Sequence, residues 1–205
     1  MTLTQQQKLW LGTSLVLGWL VATVYAFWWF QYRHLQLFSG DPQTTTVMFD
    51  SSSLRDQLAR VVGITMANKG QATVVHYWDS NCPCNKFNEA HVKQLMQHYG
   101  KQGVRFVVVA SGDMNKARQI FSDSAVAAYV DVLPPQSQPP SSPAVAVMDA
   151  QGELAYFGPY SVGAVCSVQS GAFVEKALDK VLVGTNPKQV NTLAVGCYCP
   201  WPKVS

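Results

Sequence analysis

Two cysteines separated by one proline, Cys82-Pro83-Cys84, follow the apolar run Val74-Val75-His76-Tyr77-Trp78 and the turn residues Asp79-Ser80-Asn81. A helical pattern opens directly after them, so the pair sits where a helix begins. A helix N-terminus offers unpaired N–H groups and the positive end of its dipole, which lowers the pKa of a thiol there and makes it nucleophilic. That is the placement of a redox dithiol. A second pair of the same spacing, Cys197-Tyr198-Cys199, lies near the C-terminus, and a fifth cysteine, Cys166, lies between.

The elements that must position these groups alternate. Thr73 to Trp78 is a β-rich strand. From Cys84 the apolar residues Phe87, Ala90, Leu95 and Tyr99 suit a helix, closed by Gly100 and Gly103. Val104 to Ala110 reads as a buried strand, and Asp113 caps a short helix with Ala117 and Phe121. Ser142-Pro143 opens a strand from Ala144 to Met148, followed by an Asp149-Ala150-Gln151-Gly152 turn and a strand from Glu153 to Phe157. Ser170 starts a last helix with Phe173, Ala177 and Val181 on one face, Glu175 in its first turn and Lys180 in its last, ended by Gly184. Upstream, Thr45 to Phe49 suits a first strand, and Ser51–Ser53 caps a helix bearing Leu54, Leu58, Val61 and Val62. The order β-α-β-α-β-β-α is that of an α/β domain.

Strand, dithiol loop, helix and the later Ser-Pro before a strand together resemble the thioredoxin superfamily over roughly residues 46–184, most like its tethered bacterial envelope members. The resemblance implies a central mixed sheet flanked by helices. Trp78, four residues before Cys82, matches the family's Trp-x-x-x-Cys spacing. Carried over, Cys82 is the attacking thiol and Cys84 the resolving one, while Pro143 is cis and Ser142 offers its backbone to a substrate strand beside the disulfide, with Trp78 counted among the substrate-binding residues. The sequence departs from the family in having one residue between the cysteines where the family has two. A Cys82–Cys84 ring is smaller and strained, and its potential is expected well above the roughly −270 mV of thioredoxin. That favours an oxidase or isomerase over a strong reductant. The competing reading of the pair is structural or metal-binding.

His76 lies two residues before Trp78, where many thioredoxins keep a buried carboxylate that accepts the resolving thiol's proton. A neutral imidazole can do the same, or can be a half-buried histidine satisfied by backbone. His91, seven residues past Cys84, suits packing better than chemistry, and His34 and His98 carry no argument. The tail pair either relays electrons or staples the tail. The staple is expected, with Cys197 or Cys199 bonded to Cys166; a bond to Cys82 or Cys84 would instead make the tail a relay. Trp201 and Pro200 suggest a segment that packs back on the domain.

Charged residues are 13% of the 205-residue chain, about half the usual share of near 25%. Leu9 to Phe30 is uncharged and long enough, at about 1.5 Å per residue, to cross a hydrocarbon core of about 30 Å. It ends in Phe27-Trp28-Trp29-Phe30-Gln31-Tyr32, an interfacial aromatic belt, which favours a retained anchor over a cleaved signal peptide. The expected organisation is a cytoplasmic head (1–8), a transmembrane anchor (9–30), a linker (31–45), the thioredoxin-like domain (46–184) and a cysteine-bearing tail (185–205). Pro134 to Pro143 holds five of the eleven prolines and reads as a stiff, exposed loop. A net charge of +3 does not suit nucleic acid binding.

These observations point to a thiol–disulfide oxidoreductase in the bacterial inner membrane, single-pass, with its C-terminal domain in the periplasm. Its partners are protein thiols or disulfides and a redox partner of unknown identity, and no cofactor is expected. Two alternatives stand beside it. One is a copper or zinc binding protein or chaperone, with Cys82, Cys84 and His91 as ligands. The other is a thioredoxin-like scaffold without chemistry.

Overall fold

The computed structural model describes residues 4–40, 52, 56, 70–131, 137–162 and 172–202, with 31–34 described as backbone alone. The expected first strand at 45–49, Cys166 and the start of the last helix at Ser170 lie outside these residues. Of the helix expected after Ser51, Ser52 and Asp56 are described, and both are helical.

The first element, α1 (Gln5–His34), is one continuous helix. Its segment Gln5–Phe30 is long and apolar enough to cross a membrane, and none of it is buried in protein. Leu9, Trp10, Val24 and Trp28 all face outward. The chain leaves α1 directly into a short strand, β1 (Leu35–Leu37).

A six-stranded mixed sheet forms the centre of the domain. Its strands are β2 (Thr73–Asp79), β3 (Arg105–Ser111), β4 (Val126–Val130), β6 (Ala144–Met148), β7 (Leu154–Gly158) and β8 (Gln189–Val190), in the spatial order β4-β3-β2-β6-β7-β8. Strand β2 is central, parallel to β3 and antiparallel to β6. A parallel neighbour needs a crossover, which α2 (Cys84–Gly100) supplies. Another short helix, α3 (Met114–Ile120), joins β3 to β4. The Asp113 carboxylate accepts from the N–H groups of Asn115 and Lys116, as its capping position predicts. The last helix is α4 (Phe173–Leu182). This is the thioredoxin-like architecture that the sequence implied, a mixed sheet flanked by helices behind an apolar N-terminal helix.

The period of two along the strands divides the core between two faces. Val74, Trp78, Phe106, Val108, Val145 and Val147 face α2 and α4, meeting Val92, Leu95, Met96, Val174, Ala177 and Leu178. Val75, Tyr77, Val107, Val109, Ala144 and Ala146 face the other way. Among the described residues, that second face is covered by Phe38, Ala194, Tyr198 and Trp201. Cover comes therefore from the segment after α1 and from the tail.

Two expectations are corrected here. Residues 31–45 do not begin as a spacer, because β1 pairs antiparallel with a tail strand, β9 (Val195–Cys197), and Phe38 is fully buried. The Pro-rich stretch is not exposed at its end: Ser137, Pro139, Ser141 and Ser142 are buried. The reason is the same in both cases. The tail returns across the domain, adding β10 (Cys199–Pro200) to the two-residue strand β5 (Ser141–Ser142), with the Trp201 N–H donating to the Pro140 carbonyl at 3.0 Å.

Phe38 meets Tyr198 edge-on at 5.4 Å between centroids and Phe157 at 6.0 Å. A spacer residue could be truncated freely, whereas a buried phenylalanine cannot. Phe38→Ala is expected to cost about 3–5 kcal/mol, measured by denaturant unfolding of the full chain in detergent. A change within about 0.5 kcal/mol would show that the segment bears no load.

Candidate active site

The site is built where β2 ends. Beyond Asp79 the chain turns sharply, with the Ser80 N–H donating to the Ser111 carbonyl at 3.0 Å and the Cys82 N–H to the Asp79 carbonyl at 3.2 Å. Asp79 Oδ1 accepts the Asn81 N–H at 3.0 Å. Helix α2 starts at Cys84 with Pro83 in the capping position, and no side chain caps it. The N–H groups of Asn85 and Lys86 donate to the Cys82 and Pro83 carbonyls, each at 3.2 Å, so the first turn closes on the dithiol loop, and proline is well suited to a helix start because it has no N–H to lose.

Asn85 ties this loop to the segment before β6. Its Nδ2 donates to the Asp79 carbonyl at 2.6 Å and to Ser142 Oγ at 3.2 Å. Ser142 Oγ also accepts the Asp79 N–H at 3.2 Å. Asp79, Asn85 and Ser142 are all buried, so the three close a satisfied polar knot under the cysteines. The Ser142-Pro143 peptide bond is cis. The Ser142 carbonyl oxygen lies 3.5 Å from Cys82 Sγ, so of the three residues expected to bind substrate, Ser142 and its neighbour Pro143 lie at the sulfur, whereas Trp78 is in the core.

The cysteines pair across the two Cys-x-Cys segments. Cys82 is bonded to Cys199 and Cys84 to Cys197, with Cα–Cα distances of 5.8 and 5.6 Å. The segments cross in an antiparallel sense, first cysteine to last. This corrects the expected Cys82–Cys84 ring and the expected staple to Cys166, because both tail cysteines are already engaged. The physical cause is the register of β10 on β5, which sets Cys199 opposite Ser142 and hence over Cys82. Cys82, Cys84 and Cys197 are buried, while Cys199 is half-buried. The sulfurs of Cys82, Cys84 and Cys199 lie within 4.8 Å of one another, so exchange between the two bridges needs little movement.

The two bridges are unequal as staples. On the chain-entropy model, closing a loop of about 100 residues stabilises a fold by roughly 4.7 kcal/mol. Once Cys82–Cys199 is closed, Cys84–Cys197 lies inside it and closes only a small additional ring. Little chain entropy remains for it to remove, so stability alone does not account for two bridges.

The other candidates are placed as follows. His76 is 1% exposed and on the α2 face of β2; its Nδ1 lies 2.8 Å from the Tyr160 hydroxyl, and its ring meets Phe121 and Tyr160 edge-on. Burial pulls its pKa down to about 3, against a smaller upward pull from a backbone hydrogen bond with Ala144. Trp78 is likewise in the core, with the Lys116 ammonium 6.0 Å from its ring centroid. His91 is buried and holds Glu175, Nε2 to Oε1, at 2.6 Å. Burial pushes the Glu175 carboxyl up, but the His91 hydrogen bond and charge, with Lys176, outweigh it and leave it low. The ligand set Cys82, Cys84 and His91 is not brought together: the third member of the sulfur cluster is Cys199. Asn85 escaped the sequence reading, since an asparagine after a cysteine carries no spacing signal. The cross-pairing did leave a trace, in the equal spacing of the two cysteine pairs.

The state of His76 sets a pH dependence. A histidine held neutral in the fold near 3 and titrating near 6.5 when unfolded contributes stability that is fully present above 6.5. That stability is lost as pH falls from 6.5 toward 3. Urea unfolding between about pH 7 and pH 4 is therefore expected to show a shallower decline for His76→Leu than for the native chain. Parallel declines would place the acid sensitivity elsewhere.

No curated protein matches the sequence. Among solved structures, a hypothetical protein from Sinorhizobium meliloti is similar over 65% of this chain and 80% of its own, at 17% identity and a TM-score of 0.51. An uncharacterized conserved protein from Geobacillus kaustophilus is similar over 67% and 81%, at 18% identity and a TM-score of 0.50. A thiol:disulfide interchange protein of the thioredoxin family from Chlorobium tepidum is similar over 57% and 83%, at 16% identity and a TM-score of 0.43. A family model spans residues 49–201, from before the sheet to the last tail aromatic, and it takes in all five cysteines. The chain accordingly belongs to the family described as a domain of unknown function, DUF6436.

Proposed function

We propose that the protein is a membrane-anchored thiol–disulfide oxidoreductase of the bacterial envelope, acting on protein thiols through Cys82 and Cys84. The observation that carries this reading is the meeting of both Cys-x-Cys segments, as two adjacent disulfides, at the start of α2 and against the cis Ser142-Pro143 bond. An outward-facing apolar helix of sufficient length supports the anchor. Two disulfides support an oxidising compartment such as the periplasm.

The chemistry balances within these groups. A substrate thiolate attacks the Cys82–Cys199 bridge, that S–S bond breaks, and the departing cysteine takes up a proton. The substrate's second thiolate then attacks the first substrate sulfur, and the protein's cysteine is displaced from the mixed disulfide. Two electrons and two protons have passed to the protein, and the substrate holds a disulfide. Cys82, now a thiolate favoured by the α2 N-terminus, attacks Cys84 of the neighbouring bridge. Cys82–Cys84 forms, Cys197 leaves as a thiol, and no electrons are exchanged with the outside. The tail pair in this scheme is an internal relay, and the second bridge has the use that its small stabilising effect left unexplained.

Cys82→Ser is expected to lower exchange with a cysteine-peptide substrate at least a hundredfold, while Cys84→Ser accumulates mixed disulfides through Cys82, read by non-reducing gels and mass spectrometry. Equal trapping by both variants would overturn the roles. Copper or zinc at one equivalent in place of the disulfides would move the function to metal binding.

The anchor has its own test. The uncleaved chain should fractionate with membranes, and a periplasm-active reporter fused after Ser205 should be active. A soluble product starting near residue 30, or a reporter active in the cytosol alone, would defeat it.

A further inference from the structure

We propose that the tail occupies the docking site of the protein's own clients, and that the site selects an extended segment in which an aromatic residue stands two positions after the reacting cysteine. The proposal rests on the oxidoreductase reading above and names the substrate class of that same site.

Three features of the tail make it a stand-in for a client. Cys199 is covalently joined to Cys82, the relation that a client cysteine has to an attacking thiol in a mixed disulfide. The backbone around it is a strand, with Cys199 opposite Ser142 and Pro200 opposite Ser141, and the Trp201 N–H prolongs the contact to Pro140. Without the tail, β5 is a free strand edge beside a thiol, and such edges recruit extended chains through backbone hydrogen bonds, with side-chain pockets setting the choice. The third feature is the pocket. Trp201 is buried and meets Tyr77 edge-on at 5.8 Å, and the Tyr77 hydroxyl is fixed to the Ser137 carbonyl at 3.1 Å. Between the two anchors Pro200 is exposed, so the middle position is open to many residues. The pattern presented is cysteine, any residue, aromatic.

The step is an ordinary exchange. Two equivalents of a dithiol donor first reduce Cys82–Cys199 and Cys84–Cys197, giving four thiols and oxidising each donor to a disulfide. The tail strand leaves β5, and a client cystine takes its place. The Cys82 thiolate bonds to the client sulfur lying where Cys199 lay. The client's S–S bond breaks, and its other sulfur departs as a thiolate that takes a proton from water.

The test uses the full chain in detergent with Cys84→Ser, Cys197→Ser and Cys199→Ser combined, and the same chain with Cys82→Ser added as the control for Cys166. Two peptides differing as Cys-Pro-Trp and Cys-Pro-Ala carry the cysteine as a mixed disulfide with thionitrobenzoate, whose release gives the rate. The tryptophan peptide is expected to react at Cys82 at least tenfold faster. A second measurement needs no substitution. Amide hydrogen exchange in the native chain should speed up at Ser141 and Ser142 on reduction, and slow again when a Ser-Pro-Trp peptide is added. Equal rates for the two peptides, or protection that the added peptide does not restore, would overturn the proposed selectivity while leaving the oxidoreductase intact. A Cys82 inert to both peptides and to glutathione disulfide would remove the oxidoreductase reading and this one with it.

Discussion

The rest of the structure hangs on the antiparallel crossing of two Cys-x-Cys segments more than a hundred residues apart. Their bridges bring the end of the chain over the start of α2, and the tail's other contacts then become local. Val195–Cys197 lies along Leu35–Leu37, Tyr198 lies against Phe38, and Trp201 lies against Tyr77. One short segment thereby joins the Cys82–Cys84 loop, the second face of the sheet and the residues that follow the apolar helix. Each contact is modest, but the covalent links hold the tail at high effective concentration, so small apolar and backbone contributions suffice to order it.

The two faces of the sheet serve different ends. On the α2 face, a buried polar set lies inside an aliphatic and aromatic core: His76 with Tyr160, and His91 with Glu175. Burial there keeps His76 neutral, so this face behaves as scaffold. At the strand's end, the Asp79, Asn85 and Ser142 knot fixes the loop and the cis-peptide segment to each other, which sets the Ser142 carbonyl beside Cys82. The opposite face is covered by the tail and Phe38, contacts whose tightest anchors are themselves reducible bonds. Stability on one face and redox-sensitive cover on the other follow from which residues each face was given.

Local sequence determined a good deal about this protein. The strand Thr73–Asp79, the helix Cys84–Gly100, the capped helix after Asp113 and the hairpin Ala144 to Gly158 were legible because β-branched runs, a helical period, an N-cap aspartate and an Asp-x-x-Gly turn act over a few residues. The apolar length of the N-terminal helix was legible for the same reason. The strands β1, β4, β5, β8, β9 and β10 were not. Most are two or three residues long, too short to show a period, and they exist only because a distant partner supplies their hydrogen bonds. The pairing of the cysteines was decided by tertiary structure alone. Neighbouring cysteines in the chain suggest a bond between neighbours, yet sulfur bonds to whatever sulfur the fold puts within reach, and the register of Cys199 on Ser142 sets the tail sulfurs there.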